Sequence, residues 1–153
     1  MSGELRRARL EDTAVVAALF DEYRQFYHQK SDIELSTKFI HSRLSNQDAV
    51  IFVIIDGQGN GVGFCQLYPS FSSIHARSML ILSDLYVTQH ARCVGVGRRL
   101  MNIAIDYAKA KGVASIFLET HKVTITGALK CSSARKRSCS EDMSIPHSTG
   151  NSN

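Results

Sequence analysis

Leu85-Tyr86-Val87-Thr88-Gln89-His90-Ala91-Arg92-Cys93-Val94-Gly95-Val96-Gly97-Arg98-Arg99-Leu100 decides how the chain is read. Residues 79–87 (MLILSDLYV) enter it as an apolar strand, uncharged through its first half and therefore central in a sheet. Gly95 and Gly97 then open a helix whose buried stripe is Leu100, Ile103, Ala104, Tyr107 and Ala108. Gly112 ends that helix, and residues 113–120 (VASIFLET) follow as the next strand. Strand, helix and strand make a βαβ unit with parallel strands. The loop before the helix is an anion site in principle, because the first N–H groups of a helix lack internal partners and carry the positive end of its dipole. The two glycines let backbone approach a phosphate closely, and Arg92, Arg98 and Arg99 add charge.

Upstream, residues 5–10 alternate apolar and charged as a short strand, and Asp12 is placed to cap the following helix. Val15, Val16, Leu19, Phe20, Tyr23 and Tyr27 give that helix one apolar face, and Phe39, Ile40 and Leu44 give a second helix another. Residues 49–55 (AVIFVII) and 61–68 (GVGFCQLY) read as a hairpin about the turn Asp56-Gly57-Gln58-Gly59-Asn60. Pro69 is expected to end the second of these strands, with a serine-rich loop running to Ser78. The fold class is therefore α/β, with a mixed sheet.

The composition limits the alternatives. The 153 residues are 44% hydrophobic and suit one domain with its own core. The apolar runs fall short of a membrane span, and the N-terminus lacks the apolar stretch of a secretory signal, so a cytoplasmic location and no membrane partner are expected. The net charge is +4, but +3 of it lies beyond residue 121, so no nucleic-acid face is expected. Cys65, Cys93, Cys131 and Cys139 form no C-x-x-C pair and no zinc-spaced cluster; they are read as four free thiols, with no metal. The third glycine of a dinucleotide fingerprint is replaced by Leu100, and no P-loop Lys follows.

Arg92-x-x-Gly95-x-Gly97 behind a central strand resembles the pyrophosphate motif R/Q-x-x-G-x-G/A of the GNAT superfamily of N-acetyltransferases. Residues 64–71 (FCQLYPSF), 116–120 (IFLET) and 19–27 (LFDEYRQFY) resemble one branch of it, so that the likeness covers residues 4–121. The resemblance implies a GNAT-like acyl-CoA N-acyltransferase fold. It also implies acetyl-CoA as co-substrate and a small-molecule or peptide amine as acceptor. Leu85, Tyr86 and Val87 would pair with the pantetheine arm. Arg92, Cys93, Val94, Gly95, Val96, Gly97 and Arg98 would hold the pyrophosphate, with Cys93 standing where many members carry glycine. Asp84 and Glu22 are the candidates for handling the amine; Tyr23 is read as core. Tyr68 and Phe71 are weighed as an aromatic wall, and Glu119, His90 and His121 as solvated side chains.

The likeness stops after Thr120. Relatives usually continue N-x-x-A-x-x-L-Y-E-x-x-G-F, where the Tyr is the usual acid for the leaving thiolate. Here residues 122–131 read KVTITGALKC, and no Tyr follows Tyr107. Residues 122–153 hold seven serines and no aromatic, so we expect a divergent, disordered tail, such as frame-shifting or mis-splicing produces, after a domain over residues 1–121. The C-terminal strands of the fold are expected to be incomplete. That leaves the edge of residues 113–120 uncovered and open to a shielding homodimer. The alternative to an active enzyme is a degenerate member that binds CoA and transfers little.

Overall fold

The structure, a computed structural model, describes residues 3–113, 115–118 and 143–144. The elements are β1 (Glu4–Arg7), α1 (Thr13–Phe26), α2 (Ile33–Asn46), β2 (Val50–Ile55), β3 (Gly61–Ser72), β4 (Arg77–Val87), α3 (Val96–Lys111), β5 (Ser115–Leu118) and β6 (Met143–Ser144). The six strands form one sheet in chain order, β1 to β6. Every pairing is antiparallel except β4 with β5, which is parallel as the βαβ reading requires. The mixed α/β architecture is the expected one.

Helices α1 and α2 cover one face of the sheet, burying Val16, Leu19 and Ile40 against Ile51, Val53 and Phe64. Helix α3 covers the other, where Leu100, Ala104 and Ala108 meet Phe52, Cys65, Leu67, Leu82 and Ile116. Gly63 makes the second contact close: a Cβ there would stand 3.0 Å from the Tyr86 carbonyl oxygen and 3.0 Å from a Val96 methyl carbon. On the first face, Asp21 is buried and ties the two helices together. It accepts from the Ser31 hydroxyl at 2.6 Å, the Asp32 N–H at 2.8 Å and the Ser36 hydroxyl at 3.1 Å.

Several boundaries differ from the sequence reading. Strand β3 runs through Pro69 to Ser72. Its pairing with β2 ends at Leu67, so beyond that point one side of β3 has no ladder for proline to interrupt. The serine-rich stretch closes as a tight turn, with Ser72 paired to Arg77 and the Ala76 N–H bonded to the Ser73 carbonyl. The edge of β5 is not bare at Ser115 and Ile116, which pair with Ser144 and Met143. Backbone groups alone make that ladder, so side-chain pattern does not announce it. The rest of residues 119–153, including Glu119, His121 and the expected disorder, lies outside the described residues. Among those described, no helix is long and apolar enough to cross a membrane.

Asp12 stands at the start of α1 but does not cap it. Its carboxylate instead accepts from Arg6 at 2.6 and 2.7 Å and from the Arg9 N–H at 2.7 Å. A guanidinium offering two charge-assisted hydrogen bonds outcompetes a helix N–H. The Arg6 hydrogen bonds hold the Asp12 carboxyl below its ordinary 3.8, outweighing burial. A carboxyl depressed in the native state stabilises the fold above its unfolded pKa, and that contribution is lost as pH falls through the native value. We therefore expect the urea midpoint to drop on acidification below pH of about 4, and Asp12→Asn to flatten the drop. Equal slopes in both proteins would refute the assignment.

Candidate active site

The C-terminal half of β4 carries the site, and a β-bulge sets its orientation. Gln66 pairs with Asp84 but Leu67 pairs with Leu82, which leaves Ser83 as an extra residue in β4. Side chains alternate along a strand, so the extra residue reverses the alternation. Leu80 and Leu82 point to the α3 core before the bulge, and Leu85 and Val87 do so after it. Asp84 and Tyr86 are thereby turned to the α1 face. Strict alternation from Leu82 would have put the Asp84 carboxylate among apolar side chains.

Asp84 is 8% exposed. The amide nitrogen of Gln66, a wholly buried residue, donates to its Oδ2 at 2.7 Å and to the Tyr68 hydroxyl at 2.5 Å. From α1 the Tyr23 phenol bonds the same carboxylate; burial first, and Asp84 second, holds that phenol far above its ordinary range. Burial and then the charge of Asp84 push the Tyr68 phenol up to about 12. Both hydroxyls are therefore protonated near neutrality and available as donors.

Glu22 is brought to β4 by a different route, accepting from the Tyr86 hydroxyl at 3.1 Å on the exposed side of α1. Burial, then the Glu22 carboxylate, raises the Tyr86 phenol. The Tyr23 ring lies 6.3 Å from Tyr86 and 6.0 Å from Phe64, both edge-on. Tyr23, Arg24, Tyr27 and Gln29 line an open depression beside this group. Tyr23 thus packs against the core, as read, and also bonds Asp84, a contact that helical spacing does not reveal. Gln66 was readable only as one more strand residue. Phe71 does not join Tyr68 in a wall: it lies on the opposite face of β3 and is 81% exposed. His90 is exposed, as read.

Thr88 fastens the end of β4 to β3, its N–H bonding the Val62 carbonyl at 3.0 Å. Beyond it the chain turns through residues 92–95 into α3. Arg92 has φ −74°, Cys93 +68° and Gly95 +88°. Turns of this kind gather N–H groups into a concavity suited to anions. Gly95 is the N-cap of α3, and no side chain caps it. Val94 and Arg98 are exposed, Gly97 is half-buried, and Val96 is anchored in the α3 core.

The arginines divide their tasks. Arg92 folds back, donating from Nε to the Val87 carbonyl at 3.0 Å, with its guanidinium 5.5 Å from the Phe26 ring centroid and 5.8 Å from that of Tyr86. Arg99 bonds the Gly3 carbonyl at 2.7 Å. Arg98 is left as the exposed cation at the helix start.

Cys65 is buried and free, whereas Cys93 is exposed in the turn with its φ at +68°. Glycine would adopt the positive φ of Cys93 without strain. A non-glycine residue in the left-handed region is strained by about 1–2 kcal/mol. Under reducing conditions Cys93→Gly should raise the unfolding free energy read from urea denaturation by up to about 1–2 kcal/mol; a lower value would contradict the strain.

The acetyltransferase (GNAT) family model matches residues 14–130. The chain is 43% identical over 116 residues to an uncharacterised N-acetyltransferase, YhfO, of Bacillus subtilis, covering 76% of this chain and 77% of the relative. It is 28% identical over 136 residues to the D-amino-acid N-acetyltransferase HPA3 of Saccharomyces cerevisiae, covering 78% and 83%. The crystal structure of a probable acetyltransferase superposes with a TM-score of 0.75 at 30% identity, covering 95% of this chain and 98% of the other. With a parallel β4–β5 pair, a glycine-opened α3 and a buried carboxylate between them and α1, this chain belongs to the acetyltransferase (GNAT) family.

Proposed function

We propose that the chain transfers the acetyl group of acetyl-CoA to a primary amine of a small molecule or peptide, with Asp84 receiving the amine's proton. The observation that carries this reading is the position of the Asp84 carboxylate. It is buried and hydrogen-bonded, one residue before segment 85–87, whose end leads into the uncapped start of α3. Acetyl-CoA supplies the thioester. The N–H groups of residues 92–98 bind its pyrophosphate, with Arg98 adding charge, and the backbone of Leu85, Tyr86 and Val87 takes the pantetheine arm. Arg92 acts by closing the end of β4 through the Val87 carbonyl.

An ammonium ion is not a nucleophile until it loses a proton. A buried carboxylate facing the acceptor both attracts the cation and takes that proton. Glu22, held by Tyr86 on the exposed side, draws the cation toward the site. The rings of Tyr23, Tyr86 and Phe64 exclude water around the reacting nitrogen. The name of the yeast relative gives a D-amino acid as acceptor, and this supports the small-molecule class. Calorimetric titration with acetyl-CoA, followed by turnover of a panel of primary amines, tests the reading. Absence of acetyl-CoA binding would overturn it.

A further inference from the structure

We propose that Gln66 is a positioning residue for Asp84: its buried amide nitrogen holds the carboxylate ionised and aimed, and links it to the Tyr68 hydroxyl. The proposal rests on the reading of Asp84 as the group that takes the amine's proton.

Three features of Gln66 support it. Its side chain is wholly buried at the centre of the sheet, a place where an apolar residue packs without cost. Its nitrogen makes both hydrogen bonds, at 2.7 Å to Asp84 and 2.5 Å to Tyr68, while its Oε1 is buried and has no partner. A buried acceptor left unsatisfied destabilises a fold. Turning the amide over would point the oxygen at a carboxylate, so the charge-assisted bond to Asp84 dictates the orientation. Finally, the bond is not needed to join the strands. Gln66 and Asp84 are already cross-strand neighbours in a ladder that continues on both sides of them. The side chain therefore serves the carboxylate rather than the sheet.

The described residues bring mostly tyrosines to Asp84. From α1 come the Tyr23 phenol, which bonds it, and Tyr27 behind Tyr23. From β3 come Tyr68 and the thiol of Cys65, which burial holds protonated. Arg43 of α2 and Asp48 reach Tyr68, but they pair with each other at 2.8 Å. Gln66 is thus a neutral donor on the β3 side, which favours the charged carboxylate and lowers its basicity less than a cationic side chain would. A Lys in its place would hold Asp84 ionised but too weakly basic, and an apolar residue would let burial protonate it.

The test is a carboxyl-carbon NMR titration of the full chain, with the Asp84 signal assigned from Asp84→Asn. It compares wild type with Gln66→Met, which keeps length and loses the amide. The Asp84 titration is expected to move upward by about one to two pH units in Gln66→Met, the size of one hydrogen bond to a charged group. The acid limb of kcat/KM for the amine should move with it, while affinity for acetyl-CoA stays within about twofold, as expected of sites that share no partner. An Asp84 titration at the same pH in both proteins overturns the proposal. If Gln66→Met does not fold, Gln66→Asn, whose amide is one methylene short of Asp84, is titrated instead under the same two outcomes. Full turnover by Asp84→Asn would refute the base reading, and the NMR titration would still decide whether Gln66 sets the state of the carboxylate.

Discussion

Gly97→Glu should abolish acetyl-CoA binding while leaving the protein folded. Gly97 is the second residue of α3, and a Cβ there would meet only a Val87 methyl carbon, at 3.8 Å, an ordinary contact. The substitution therefore fits sterically, and a carboxylate in the first turn of a helix interacts favourably with the dipole. The same carboxylate would stand where a pyrophosphate must approach. Two like charges about 4 Å apart near a protein surface repel by about 4 kcal/mol, or roughly a thousandfold in the dissociation constant. Calorimetry against acetyl-CoA reads the loss, and the urea midpoint confirms that the fold survives. Gly97→Ala separates bulk from charge and should cost much less. Unchanged affinity in the Glu variant would remove residues 92–98 from the cofactor site.

The second large effect is that of Asp84→Asn on turnover. Asparagine keeps the size of the side chain and cannot take a proton. A positioned base contributes about 10²–10⁴-fold, so kcat for an amine substrate should fall by that factor. Binding of acetyl-CoA should persist, because the turn at residues 92–95 does not depend on the carboxylate. Raising the pH supplies free amine without a base, so the deficit should shrink in alkaline buffer. A variant as fast as wild type at neutral pH would show that the proton leaves by another route, and Glu22 would then be the next residue to replace.

Residues 79–118 show how far local pattern reaches. The apolar run of β4, the glycines at 95 and 112 and the stripe Leu100, Ala104, Ala108 placed the βαβ unit and its turn correctly. Each of these signals is contained within one or two turns of chain. The fold and the position of the glycine-opened turn were therefore legible. The reading failed where a neighbour in space outcompetes the local rule. Asp12 has a helix start beside it yet bonds Arg6. Pro69 sits inside a strand because the adjacent strand has already ended. The partners of Arg92, the Val87 carbonyl and two aromatic rings, were likewise not announced by its local sequence.

The sequence by itself determined the family, the strand–helix–strand frame and the glycine-opened turn before α3, because glycine positions and hydrophobic period encode them locally. Only the tertiary structure decided which polar groups share the site. The bulge at Ser83 is invisible to periodicity, yet it alone turns Asp84 from the α3 core to the α1 face. The partners waiting there are distant in sequence: Gln66 is 18 positions away, and Glu22 reaches Tyr86 across 64. Hydrogen bonds of that separation depend on how two packed faces meet, and no short window of residues contains both partners.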